Sequence, residues 1–261
     1  MPLSFGFGRG QLLPKGQGAP PWTPASVSNL LLWLDANDST TLFQTVGGTA
    51  ATADTNPVGS WLDKSGNSNH ASMASATQRP KLKTGIHNGK NTLRFDGNDY
   101  FSLPNFHNFG TDDSTMFIVA RTETPGSWVV LFEQKGANGK RYLPCYTLGV
   151  AGGIRYYSYH NGAVGSFLSQ SFASGTTFVP NSILKAVRNG TASSLTLNNT
   201  TTISGTLADF DSSGGFTYIG NSLYNEYMRG DICEILCYGR ALSASEQTSV
   251  NDYLKAKWAT P

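Results

Sequence analysis

The sequence is poor in charge, in cysteine and in long apolar runs. Only 36 of its 261 residues are charged, with 19 Lys and Arg against 17 Asp and Glu. The net charge of +2 is spread without a basic block or an Arg-rich stripe, so the electrostatic footprint of a nucleic-acid binder is missing. The longest apolar runs, such as Leu30 to Leu34 and Trp128 to Phe132, hold five residues, against the roughly 20 that a membrane helix needs. Neither nucleic acid nor a membrane is an expected partner. Three cysteines are too few for a disulfide scaffold. Cys233 and Cys237 stand four apart in a strand-like run, about 13 Å between Cα atoms at strand rise, and cannot pair. They read as thiols filling a core. The four histidines, His70, His87, His107 and His160, have neither metal-ligand nor triad spacing.

What is abundant is small and polar. Gly, Ser, Thr and Asn contribute 101 residues (29, 27, 26 and 19). These favour turns and strand surfaces, so the composition predicts an all-β chain, and one of this length still fits a single domain. Residues 1–27 stand apart as an extended Gly/Pro-rich arm. Its first 24 residues hold five Gly and five Pro with no periodic apolar face, and lack the charged start and continuous apolar stretch of a secretory signal. Phe5, Phe7, Arg9 and Trp22 are its expected partner-docking residues.

From Leu30 onward, short apolar or alternating runs are separated by turn chemistry. Four Asn-Gly pairs, led by Asn88, Asn138, Asn161 and Asn189, punctuate them as hairpin signals. Strands are predicted at Leu93 to Phe95, Met116 to Arg121, Trp128 to Glu133, Ile154 to His160, Ile183 to Arg188, Ser194 to Leu197, Phe216 to Ile219 and Asp231 to Tyr238. That spacing predicts a two-sheet antiparallel sandwich. One helix is signalled at the C-terminus, where Ser243 and Glu246 form a capping box and Val250, Tyr253, Leu254 and Trp258 give one apolar face.

The motifs from Trp61 to Ala71, Arg79-Pro80 and Leu93 to Tyr100, followed by Phe216 to Gly220 and Gly230 to Ser243, resemble a concanavalin A-like lectin/glucanase domain of the laminin G-like kind. The resemblance runs over about residues 28 to 259. It implies a jelly roll of two curved sheets, here residues 28–261, with a short C-terminal helix. It also implies that the concave face or loop edge holds a sugar, as in many relatives.

Several residues carry candidate chemistry. Arg155, Tyr157 and Tyr159 share one face of a strand that leads to Asn161, and aromatic faces beside Arg and Asn suit a sugar. Cross-strand packing competes for the same tyrosines. No cofactor is expected, except that Asp63, Asp96, Asn98 and Asp99 are hard oxygen ligands on loops, of the kind calcium prefers. Asp63, Asn67 and Asp96 also suit plain turn chemistry. Retaining glycosidases need two carboxyl groups about 5 to 5.5 Å apart. In the best strand Asp231 and Glu234 stand three apart, which predicts opposite faces. Glu234 is expected to be structural, buried against Arg240 or a backbone donor. The chain is therefore read as non-catalytic.

A fold that works outside cells, on a chain with no export signal, anchor or disulfide frame, fits a virion component. The leading expectation is a bacteriophage structural protein, as capsid decoration, head fibre or tail adhesin on the virion surface. Its expected partners are capsid or tail proteins through the arm, a host or environmental glycan, and further copies of itself. The alternatives are a free soluble lectin and a polysaccharide-degrading glycosidase or lyase.

Overall fold

The computed structural model describes residues 21–123, 129–137, 139–147, 153–159, 167–171, 182–222 and 224–261. In the first half the strands are β1 (Leu30–Asp35), β2 (Leu42–Phe43), β3 (Ser60–Trp61), β4 (Ala71–Ser72), β5 (Lys81–His87), β6 (Lys90–Asp96), β7 (Phe101–Pro104) and β8 (Ser114–Thr122). The second half adds β9 (Val129–Lys135), β10 (Arg141–Thr147), β11 (Gly153–Tyr159), β12 (Phe167–Ser171), β13 (Ser182–Asn189) and β14 (Ala192–Leu197). It closes with β15 (Thr201–Thr206), β16 (Phe216–Ile219), β17 (Arg229–Tyr238) and the helix α1 (Ala244–Trp258).

These strands form two antiparallel sheets packed as a jelly-roll sandwich. The first runs β15-β14-β13-β8-β17-β6-β5, with β1 also paired to β17; the second runs β12-β11-β10-β9-β16-β7-β4-β3-β2. All eight predicted strands are present. Of the predicted bounds, Trp128 and His160 lie outside the described residues. The Asn88-Gly89 pair makes the β5–β6 turn with φ of 51° and 70°, the mirror-image geometry that matches the twist of a hairpin.

The main core lies between the sheets. Leu32, Leu93, Phe95, Phe101, Ile118, Phe132, Ile219, Ile232 and Ile235 are buried there. A second cluster covers the outer face of the first sheet, where Trp33, Phe117, Cys233, Leu236 and Tyr238 meet Val250, Leu254 and Trp258 of α1. Both Cys233 and Cys237 are buried. Ser243 accepts from the Glu246 backbone N–H, and the Glu246 carboxylate accepts from that of Ser243, so the predicted capping box starts the helix.

Two expectations about β17 are corrected. The pairing to β8 slips between Ile232 and Glu234, so Cys233 is an extra residue in the strand. A bulge of this kind resets the alternation. Asp231 consequently meets Arg94, Arg121 and His87 on the same outer face on which Glu234 meets the helix. Strict period 2 had placed them on opposite faces. Nor does Glu234 pair with Arg240, which binds Glu246 instead. The packed domain also begins before residue 28: Val27 is buried, the Tyr238 hydroxyl donates to the Pro24 carbonyl, and the Trp22 ring lies 5.6 Å from that of Tyr253. Phe5, Phe7 and Arg9 lie outside the described residues.

Candidate functional site on the outer face of the second sheet

Strand pairing brings one face of the second sheet together from β11 to β7. Tyr159 stands opposite Arg141, and Tyr157 opposite Leu143. Tyr218 stands between Glu133 on one side and Ser102 on the other. The sequence-derived tyrosine strand thus borders the group of residues described next. The side chains of Arg155, Tyr157 and Tyr159, and all of Asn161, lie outside the described residues.

Arg141 is the centre of this face. Its guanidinium binds both oxygens of Glu133, at 2.8 and 2.7 Å, and one oxygen of Glu226 at 3.2 Å. The Tyr224 ring lies 4.5 Å from its central carbon, a cation–π contact. Burial works against the Arg141 charge, but the bonds and charges of Glu133 and Glu226 prevail, and its pKa lies above the ordinary value. Glu133 is fully buried, so the bidentate partner is what makes its charge tolerable.

The segment after β16 lays Tyr224 and Glu226 over this ion pair. It begins at Gly220, whose φ of +83° leaves no room for a side chain, because a Cβ would come within 2.5 Å of the Phe95 ring. The Ser222 hydroxyl then donates to Glu226 at 2.6 Å and accepts from the backbone N–H groups of Tyr224 and Glu226. This turn fixes Tyr224, a residue 57% exposed.

Around the ion pair lie further aromatic rings. Tyr100 is 6.0 Å from Tyr218 and 6.2 Å from Tyr227, and Phe216, two residues from Tyr218 on the same face, is 56% exposed. The hydroxyls of Tyr100, Tyr218 and Tyr224 make no hydrogen bond among the described residues, whereas that of Tyr227 donates to Asn225. Burial, then the neighbouring Tyr100 and Glu133, push the Tyr218 pKa up, so its phenol stays protonated and able to donate. Chemically the face offers flat apolar rings with unengaged hydroxyls at their edges, beside a fixed ion pair. Arg141 was missed in the sequence because its role depends on Glu133 and Glu226, which only strand pairing and the loop bring to it.

The residues considered for calcium serve turns. Asp63 accepts from the backbone N–H groups of Trp33, Ser65 and Asn69 and from the Ser65 hydroxyl. Four donors fill the roughly four lone-pair sites of a carboxylate, leaving none for a cation. Asp99 accepts from the Asp96 backbone N–H and Asp96 from that of Asn98, within the turn after β6. Burial, with the Asp96 charge beside it, pushes the Asp99 pKa up to about 6. Among the described residues no group of three His, Cys, Asp or Glu is placed to hold a metal ion.

No protein-family description and no curated protein sequence matches the chain. Solved structures do share its fold. The binding domain of Paraclostridial Mosquitocidal Protein 1 matches with a TM-score of 0.59 and 13% identity, over 92% of this chain and 56% of that one. Trypanosoma rangeli sialidase in complex with sialic acid matches at 0.58 and 14%, over 95% of this chain and 36% of the sialidase. Domain 4 of AbnA, an extracellular GH43 arabinanase from Geobacillus stearothermophilus solved with arabinotriose, matches at 0.52 and 12%, over 85% of this chain and 98% of that domain. The chain thus spans about half or a third of the first two structures. At these identities the likeness establishes the two-sheet sandwich as the class of fold and nothing finer.

Proposed function

We propose that this chain is a non-catalytic carbohydrate-binding domain whose glycan lies on the Tyr100–Tyr218–Tyr224 face. The observation that carries the reading is three tyrosine hydroxyls that make no hydrogen bond among the described residues, over one sheet face, next to two exposed side chains, Phe216 and Tyr224. Sugar rings present apolar C–H faces and hydroxyl edges, and such a surface meets both. A binding role is favoured over catalysis because Glu133 and Glu226 both hold Arg141, which ties the two carboxylates into one ion-pair cluster. The arabinotriose complex of the matching arabinanase domain supports the reading by analogy of fold. On a glycan array with bacterial envelope polysaccharides, saturable binding that disappears in Tyr218→Ala is expected. Absence of binding to every glycan overturns the reading, and cleavage of a polysaccharide that stops in Glu133→Gln replaces it with an enzyme.

We further propose the setting read from the sequence: display on a phage particle, as capsid decoration, head fibre or tail adhesin, with the N-terminal arm as anchor. Its support is the arm's Gly/Pro composition and the low charge of the displayed domain. Deletion of residues 1–20 is expected to abolish incorporation into particles while leaving the sandwich folded. Normal incorporation rejects the anchor.

A further inference from the structure

Beneath the last turn of α1, away from the tyrosine face, four charged groups meet in a site closed by aromatic rings. The Lys257 Nζ lies 2.8 Å from Asp35 Oδ1 and 2.8 Å from Glu234 Oε2. The other oxygen of Asp35 is 3.1 Å from the Lys64 Nζ, which also holds Asp38 at 2.8 Å. Trp33 and Trp258 each donate an indole N–H to Glu234, at 2.8 and 2.6 Å, and the Tyr253 hydroxyl donates at 3.0 Å. The Glu234 side chain is wholly buried, that of Asp35 is 7% exposed and that of Lys257 13%. A simple clamp for the helix needs one carboxylate on Lys257. This site has two, one of them out of reach of water, with a second cation on the far oxygen of the other.

We propose that Lys257 and Asp35 become joined by an isopeptide bond within the folded chain, with Glu234 moving the proton. The Glu234 carboxylate takes one proton from the Lys257 ammonium, and the free amine forms a bond to Cγ of Asp35. Charge that builds on the Asp35 oxygens is met by Lys64. The Cγ–Oδ2 bond then breaks. The departing oxygen receives the proton held by Glu234 and one released by the attacking nitrogen, and leaves as water. Ammonium plus carboxylate have become amide plus water, Glu234 is restored, and no oxidant or further reactant is consumed.

Three features support each stage. Burial, followed by the nearby Asp35 charge, raises the Glu234 pKa against the pull of Lys257, which improves it as a proton acceptor. Groups held in contact react as if at about 10⁵ to 10⁸ M, enough to offset the unfavourable condensation of free amine and acid. The aromatic lining excludes the water that would reverse the step. The bond would tie the first strand of the first sheet to the end of the only α-helix among the described residues, closing nearly the whole domain into one loop. That suits a domain displayed outside a cell, and it is independent of the glycan reading.

The test is the intact mass of the full chain under denaturing conditions, followed by peptide fragmentation. The expected result is a mass one water below that of the sequence, with a branched peptide joining residues 35 and 257. Lys257→Arg, which keeps the charge and the clamp, restores the full mass, and so does Glu234→Gln. An unmodified wild-type mass overturns the proposal. So does a water loss that maps elsewhere, either to a Lys64–Asp35 bond or to a succinimide at Asp96-Gly97. A bond that forms undiminished in Glu234→Gln rejects the proton-transfer role.

Discussion

Glu234 accepts from two indoles, a phenol and an ammonium, so each lone pair of a fully buried carboxylate is engaged. Removing one member of such a cluster leaves the others buried without a partner, which costs about 3–5 kcal/mol. Glu234→Ala is therefore expected to lower the thermal midpoint markedly, and a midpoint within a degree of wild type contradicts the assignment. Asp99 behaves oppositely. Its folded pKa of about 6 lies above the ordinary value of 3.8, so ionisation is harder in the folded than in the unfolded chain. The unfolded state releases its proton first as pH rises, and stability falls between about pH 4 and 6 on this account. Asp99→Asn keeps an acceptor for the Asp96 N–H and removes that penalty. Its stability relative to wild type is expected to grow from pH 4 to pH 7 in denaturant titrations, and a pH-independent difference refutes the cause given. At this scale the sequence was partly legible. Asp63 and Asp96 read as turn residues because each has a partner two residues on, Ser65 and Asn98, whereas the partners of Glu234 lie as far as 201 residues away along the chain.

The elements that alternation and turn chemistry define were readable, from the Asn88-Gly89 hairpin to the long central strands. Strands β2, β3 and β4 have two residues each, too short for any period to show, and exist only through their pairing to one another and to β7. The bulge in β17 was hidden for a related reason: a bulge is set by how one strand lies on its partner. The helix was the most legible element because its cap is local. Ser243→Ala is expected to cost about 1 kcal/mol, the usual worth of an N-cap, measured by denaturant unfolding. Loss below a few tenths would mean that Arg240, bound to Glu246 at 2.9 Å, holds the helix start without the serine.

In the whole molecule, the inner faces of the two sheets build the core, while their outer faces have different tasks. The first is covered by α1 and carries the cluster that fixes the chain's end; the second carries the tyrosines, Phe216 and the Arg141 ion pair. The sandwich was legible from composition and motif order. The tyrosine face was legible only as one strand of it, because Tyr100, Tyr218 and Tyr224 are scattered over 125 residues and become neighbours through the order β9-β16-β7. The Arg141 pair is expected to hold the covering segment. Arg141→Met should loosen residues 221–227 in hydrogen exchange while the central strands stay protected; unchanged exchange would separate the pair from the site's geometry. The most direct measurement is calorimetric titration of the glycan selected by array screening into wild type and Tyr100→Ala/Tyr218→Ala, each verified as folded. The account predicts saturable wild-type binding weakened about tenfold or more in the variant, the scale of losing a ring contact of about 1.4 kcal/mol. Equal affinity in the two proteins would contradict it.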